Sequence, residues 1–208
     1  MTSFVYFDVG GVVALDFSGT NKWQELKQEL GIPSGMNQQF DDFWHEYGNE
    51  VCIGRDVETL LPLLKKRFNI HVQDNYSLLI DGFINRFEKN TSILSVIERV
   101  HSQFKIGLLT NMYPRMLDEM RKRGLIFDIN WDVIIDSSKE RLQKPDPKIF
   151  KLAEKKAGVS GGEILFVENS QMHIDVAKTF GWQTFFYDSS YPKKASYNLD
   201  KLFEKVSY

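Results

Sequence analysis

Phe4-Val5-Tyr6-Phe7-Asp8-Val9-Gly10-Gly11-Val12-Val13 is the stretch on which the fold turns. Residues 4–9 are aromatic or β-branched except for one acid, and two glycines follow. The pattern predicts a buried strand that carries Asp8 to its carboxyl end and breaks into a tight turn needing unusual backbone angles. Four further apolar runs repeat it: residues 106–109 are closed by Thr110-Asn111, 131–135 by Asp136-Ser137-Ser138, 164–167 by Glu168-Asn169-Ser170, and 184–187 by Asp188. Each run therefore ends in polar, reactive side chains.

Between the runs lie helical patterns over residues 92–103, 114–123, 147–157 and 171–180, the third opened by Asp146 as N-cap and Pro147 at the first helical position. Strands alternating with helices of this length imply right-handed crossovers and an α/β fold, a three-layer Rossmann-like parallel sheet. Ligands of such sheets bind beyond the carboxyl ends of the strands, where these polar residues collect. Residues 17–89 differ, with helical stripes over 23–30, 37–47, 57–68 and 76–87 and no strand pattern. They read as a small α-helical domain inserted into the chain, its aromatics packed as its own core. The expected division is an α/β core from residues 1–16 and 90–208, with a helical cap over 17–89. The length of 208 residues, about 1.4 times a ~150-residue domain, accommodates one core and a modest extra module.

Composition narrows the function. Lys+Arg 26 against Asp+Glu 28, a formal charge of -2, offers no electrostatic footprint for nucleic acid or an anionic membrane. The 42% hydrophobic content suits a packed interior. A lone cysteine, Cys52, suits a reducing compartment and reads as an apolar side chain rather than a catalytic thiol. The first residues have no basic region before an apolar stretch, and no run approaches 18 apolar residues, so a cytoplasmic protein is expected, monomer or homodimer. His45, His71 and His101 show no metal-ligand spacing, which argues against zinc.

The ordered set Asp8, Thr110-Asn111, Lys144-Pro145-Asp146-Pro147 and Glu168-Asn169, each placed at a strand end or helix start, resembles the haloacid dehalogenase superfamily of hydrolases, in its helical-cap subgroup. The resemblance implies that Asp8 is a carboxylate nucleophile that forms an aspartyl-phosphate. It implies that the Thr110 hydroxyl and the Asn111 backbone N–H bind phosphoryl oxygens. Lys144 would be the fixed positive charge, catalytic and phosphate-binding. Mg²⁺ would be held by Asp8, the Gly10 carbonyl and Glu168, with Asn169 orienting a metal-bound water.

Two departures qualify that picture. Gly10 stands where most phosphatases of the superfamily carry a general acid/base aspartate, a loss worth about 10²–10⁴ in rate unless another group substitutes; Asp16 is the nearby candidate. Glu168-Asn169 replaces a more acidic pair and predicts weaker metal binding. His173 and Asp175, on the next helix, read as exposed. The expected function is a Mg²⁺-dependent phosphatase of a small phosphorylated metabolite, with a catalytically weakened relative binding a phospho-ligand or partner as the alternative. Hydrolytic 2-haloacid dehalogenation stands behind both, because the tyrosine-containing first motif and Ser-rich fourth motif of those enzymes are missing. Specificity is expected from the cap, with Trp23, residues 40–47 and Gly54-Arg55 as candidates.

Overall fold

The computed structural model describes residues 2–204; residue 1 and residues 205–208, the tips of the expected core, lie outside them. The strands among the described residues are β1 (Phe4–Phe7), β2 (Ala14–Leu15), β3 (Glu88–Lys89), β4 (Lys105–Thr110), β5 (Val133–Asp136), β6 (Ile164–Glu168) and β7 (Gln183–Phe186). The α-helices are α1 (Lys22–Glu29), α2 (Asn37–Cys52), α3 (Leu61–Phe68), α4 (Leu94–His101), α5 (Met116–Lys122), α6 (Ser137–Glu140), α7 (Pro147–Ala157), α8 (Gln171–Thr179) and α9 (Pro192–Glu204).

Five strands form one parallel sheet in the order β5-β4-β1-β6-β7. β1 is buried on both faces, which is why it reads as an unbroken apolar run. Phe4 and Tyr6 face a core shared with Phe150, Phe166 and Trp182, while Val5 and Phe7 face the other side. Gly107 on β4 has a packing reason: a Cβ there would come 2.8 Å from the Tyr6 ring and 2.9 Å from the Val133 carbonyl. From central β1 the chain winds outward first through β4 and β5, then through β6 and β7 on the other side. The strand order reverses at β1, and the carboxyl ends of β1, β4 and β6 stand side by side there, the place where such sheets bind ligands.

Local chemistry sets several boundaries. The Asp146 carboxylate accepts the Lys148 N–H at 2.9 Å and opens α7 as expected. Asp136-Ser137-Ser138, expected as a closing turn, instead starts α6, because the Asp136 carboxylate caps the Ser138 N–H at 2.9 Å. β2 and β3 pair antiparallel and bracket the inserted helices. Buried Asn90 ties that junction to the sheet end, donating to the Val12 carbonyl at 2.7 Å and the Tyr187 hydroxyl at 2.8 Å.

Between β2 and β3 the described elements are all helical, as the stripes predict. The single helix expected over residues 76–87 is instead a π-helical turn (Leu78–Phe83) and a 3-10 turn (Ile84–Arg86). Tertiary contacts hold both ends of this segment: the Glu58 carboxylate accepts the N–H groups of Leu78 and Leu79 at 2.9 and 3.0 Å, and Arg86 donates to the carbonyls of Asp81 and Gly82. The insertion's aromatics do pack together, Phe40 and Phe43 both against Phe68. Their cluster nevertheless runs on without a break into the sheet face around Val5 and Phe7, so the insertion shares its core with the sheet. No helix among the described residues is long and apolar enough to cross a membrane.

Candidate active site

Four of the residues expected to act together meet at the carboxyl ends of β1, β4 and β6. Asp8 follows β1 directly and is 7% exposed. Its Oδ1 accepts the Val9 N–H at 2.7 Å and lies 3.0 Å from Lys144 Nζ. Glu168, the last residue of β6, is fully buried. Its Oε1 accepts the N–H groups of Asn169 and Ser170, both at 2.9 Å, and its Oε2 accepts Lys144 Nζ at 2.6 Å. Lys144 therefore bridges the two carboxylates, one ammonium against two buried negative charges, which offsets only part of the cost of burying them.

That bridge divides the titration of the pair. Burial, and then the charge of Glu168, raise the Asp8 carboxyl to about 7 against the pull of Lys144. Burial would raise Glu168 too, but Lys144 and His173 outweigh it and hold Glu168 at about 2. His173 is a correction to the expectation of an exposed side chain. Its Nδ1 lies 3.0 Å from Glu168 Oε2, because one helical turn after the strand end returns position 173 over residue 168. Asp175 behaves as expected, exposed and bonded to Gln171.

Asn111 does more than sequence suggests: its side-chain amide donates to the Lys144 carbonyl at 2.8 Å and its carbonyl oxygen accepts the Lys144 N–H at 2.9 Å. This two-point clamp fixes the lysine backbone; sequence offers no signal for it beyond a polar residue after a strand. Thr110 Oγ1 is buried without a hydrogen-bond partner among the described residues. An unpaired buried hydroxyl costs about 1–3 kcal/mol. Thr110→Val is therefore expected to leave the metal-free protein as stable or to raise its Tm, by about 2–4 °C per kcal/mol recovered. The same exchange should weaken inorganic phosphate as a ligand, which calorimetry would measure; a lower Tm with unchanged phosphate affinity would contradict the assignment.

Gly10 is explained by what surrounds it. A Cβ at position 10 would lie 2.6 Å from Asp16 Oδ2, so the Asp16 carboxyl fills the space of the missing side chain. The Asp16 side chain accepts the Ser18 N–H at 2.8 Å, and burial raises its pKa. A cavity of about 280 Å³ opens over Gly10, Asp16 and Asn111. Its walls are mostly apolar, with Trp23, Phe83 and Phe87 from the insertion and Tyr113 and Met116 from the sheet side. Of the specificity candidates, Trp23 lines it, whereas Phe40 and Phe43 are buried in the insertion and Arg55 pairs with Glu50. Cys52 also lines it, and burial pushes its thiol up to about 12, consistent with an inert side chain.

Among the described residues no three His, Cys, Asp or Glu side chains cluster at a spacing that could hold a metal. A cation here would have to draw on carbonyl oxygens as well as carboxylates. These converge: one terminal atom of the Asn169 amide lies 2.8 Å from Glu168 Oε1 and 3.3 Å from the Gly10 carbonyl oxygen. The hydrogen-bonding pattern puts the amide nitrogen on that side, donating to both oxygens, with the amide oxygen accepting from the Ser18 and Ser189 hydroxyls. The Asp8 and Glu168 carboxylates and the Gly10 carbonyl are hard oxygen donors of the kind Mg²⁺ takes.

A family model described as haloacid dehalogenase-like hydrolase matches residues 5–181. Among curated proteins, the (S)-2-haloacid dehalogenase of Xanthobacter autotrophicus is 32% identical over 165 residues, 78% of this chain and 60% of that protein. The bifunctional epoxide hydrolase 2 of Sus scrofa is 23% identical over 201 residues, 86% of this chain and 35% of that protein. The chain thus spans about three fifths of the one and a third of the other. Among solved structures, the magnesium complex of the HAD family enzyme BT-2542 of Bacteroides thetaiotaomicron superposes with a TM-score of 0.72 at 18% identity, covering 90% of this chain and 94% of that one. The L-2-haloacid dehalogenase of Xanthobacter autotrophicus with chloropropionic acid covalently bound superposes with a TM-score of 0.62 at 20% identity, covering 88% and 76%. The structural likenesses concern the fold.

Proposed function

The chain belongs to the haloacid dehalogenase-like hydrolases, and from that premise we propose that it is a Mg²⁺-dependent phosphatase of a small phosphorylated metabolite, acting through Asp8. The observation that carries this reading is Thr110, a buried hydroxyl without a partner at the end of the strand next to Asp8. Unsatisfied buried donors are rare, and one beside a carboxylate and an ammonium suits a ligand rich in acceptor oxygens.

In the proposed reaction the Asp8 carboxylate attacks phosphorus, the P–O bond to the organic group breaks, and the leaving oxygen takes a proton from Asp16, the carboxyl seated over Gly10. Water, giving a proton back to Asp16, then adds to phosphorus of the aspartyl-phosphate; the acyl C–O–P bond breaks at phosphorus, releasing phosphate and returning the Asp8 carboxylate. Lys144 holds Asp8 in register, and Thr110 with the Asn111 N–H orients the phosphoryl oxygens. The residues that would hold Mg²⁺ are Asp8, the Gly10 carbonyl and Glu168, with Asn169 an outer partner bonded to the last two. Mg²⁺ would supply the positive charge that two carboxylates and a single ammonium lack when a phosphate dianion enters. The cavity's apolar walls favour a phosphomonoester carrying a short apolar group over a sugar phosphate. The fraction of the chain between β2 and β3 acts, in this reading, as the cap that excludes water.

The test is phosphate release from phenyl phosphate and from a panel of sugar phosphates, with metal-stripped protein and after Mg²⁺ is restored. Chelation is expected to cut turnover by at least about 100-fold, with recovery on adding Mg²⁺. Turnover indifferent to chelator would defeat the proposal, and phosphate binding without turnover would favour the weakened, ligand-binding relative. A second reading is supported by the identity to the Xanthobacter dehalogenase and the apolar cavity: Asp8 attacks carbon and expels halide. Chloride release from 2-chloropropionate without added metal would select it.

A further inference from the structure

Trp23, which walls the cavity together with Asp16, is held by an ion pair that the proposed chemistry does not use. Its indole Nε1–H donates to Asp41 Oδ1 at 2.6 Å, and the Lys27 ammonium lies 2.7 Å from Oδ1 and 2.9 Å from Oδ2 of the same carboxylate. Lys27 Nζ also stands over the rings of Trp23 and Phe40, 5.9 Å from each centroid. Lys27 is 1% exposed, so its ammonium has exchanged water for one carboxylate and two ring faces. Fastening α1 to α2 does not call for this, since an apolar side chain of similar length at position 27 would pack the helices without the cost of desolvating a charge. What the pair adds is direction. An indole has one donor, so an acceptor anchored by Lys27 sets the rotation of the Trp23 ring and the surface it turns to the cavity.

The ring so fixed stands on the leaving-group side of the site. Phe17, next in sequence to Asp16, packs edge-on against Trp23 with centroids 5.7 Å apart and 79° between the planes. Phe17 meets Phe83 and Phe87 in the same way, at 5.7 and 5.9 Å, and all four rings line the cavity. An aromatic guest gains edge-to-face contacts with such rings that a saturated group of the same size does not. We infer that Lys27 and Asp41 are positioning residues for the leaving group: they touch no substrate, but by holding Trp23 they shape a wall that selects a phosphomonoester whose leaving group is an aromatic ring. The inference rests on the phosphatase reading above, in which the leaving oxygen takes its proton from Asp16, and it narrows the substrate class from a short apolar group to an aryl one.

The experiment measures, by calorimetry on the whole chain with Mg²⁺ present, the affinities of phenylphosphonate, cyclohexylphosphonate and methylphosphonate, whose C–P bond the reaction cannot cleave. Wild type is expected to prefer phenylphosphonate to methylphosphonate, and Asp41→Ala to lower that preference about tenfold by freeing the ring. Asp41→Asn, whose amide oxygen still accepts the indole N–H, should stay within about threefold of wild type. In Trp23→Phe, which has no donor for Asp41 to hold, adding Asp41→Ala should change nothing further. The preference is a ratio taken within one protein, so a loss of folded fraction cancels, and a merely structural role would weaken both ligands alike. An unchanged preference in Asp41→Ala, or one that falls again when Asp41→Ala is added to Trp23→Phe, would overturn the inference. Cyclohexylphosphonate should bind wild type at least about threefold more weakly than phenylphosphonate, and equal binding would overturn the aryl assignment. The expected preferences in a protein that hydrolyses no phosphomonoester would leave the positioning of Trp23 standing and defeat the phosphatase reading. Binding of none of the three phosphonates would overturn both.

Discussion

Asp8→Asn is expected to lower turnover by at least about 10³-fold while making the metal-free protein more stable. The first effect follows from the proposed mechanism, in which Asp8 is the attacking carboxylate, since losing a nucleophile costs several orders of magnitude even when binding survives. The second follows from the charges: Asp8 and Glu168 share Lys144, and neutralising Asp8 leaves one buried ion pair in place of a crowded trio. The pH dependence separates these effects. The Asp8 carboxyl is raised from 3.8 to about 7, so the metal-free fold holds a proton that the unfolded chain gives up. Stability should then fall as pH rises from about 4 to about 7 and level off above. Glu168, lowered from 4.5 to about 2, contributes stability that is full above about 4.5 and is lost as pH falls toward 2. Tm measured against pH in chelator should show the decline between pH 5 and 7 in the wild type and lose it in Asp8→Asn. A flat wild-type profile over that range would contradict the buried-pair account, and undiminished turnover by the variant would remove Asp8 from the mechanism.

Lys144→Met should be the most damaging substitution to stability in the site. Lys144 is 2% exposed, its ammonium lies 3.0 Å from Asp8 and 2.6 Å from Glu168, and no other ammonium or guanidinium pairs with either carboxylate among the described residues. Removing one partner of a buried ion pair costs about 3–5 kcal/mol, because a buried charge is left without its ammonium; here His173 alone would remain beside Glu168. That is a large share of the usual 5–15 kcal/mol total. In a chain already carrying Asp8→Asn and Glu168→Gln the same Lys144→Met exchange should cost far less, since no carboxylate is stranded. Urea midpoints of the four chains form a thermodynamic cycle whose coupling reports the interaction, and the background variants keep the measurement open if the single variant fails to fold. A loss below about 1 kcal/mol in the wild-type background would mean that the carboxylates are compensated in some other way.

Much of this site is legible along the chain because its parts are punctuation. A β-strand buried on both faces must be apolar, so the first acid or hydroxyl after it stands out, and Asp8, Thr110 and Glu168 are each such a residue. Lys144 is legible through its neighbours, where Asp146 and Pro147 mark the helix start. What escaped the sequence reading has no such marker. His173, and the side chain as opposed to the backbone of Asn111, are ordinary polar groups until the fold sets one beside Glu168 and wraps the other around the Lys144 backbone. An aromatic stripe announces burial but not which cavity it faces: Trp23, Phe83 and Phe87 line the cavity while Phe40 and Phe43 do not.

By itself the sequence determined the alternation of strand and helix, the parallel sheet, the helical character of the insertion and the identity of the residues at the strand ends. All of these follow from local periodicity and from the need to bury apolar runs. Only the tertiary structure decided the rest: that Asp16 fills the space above Gly10, that Glu58 caps a π turn where one helix was expected, that one lysine serves two carboxylates, and that Asn169 faces acceptors inward and hydroxyls outward. Each depends on polar groups distant in sequence being desolvated together, where an unpaired donor or charge costs kilocalories and must find a partner. Which partner it finds is a property of the packed fold.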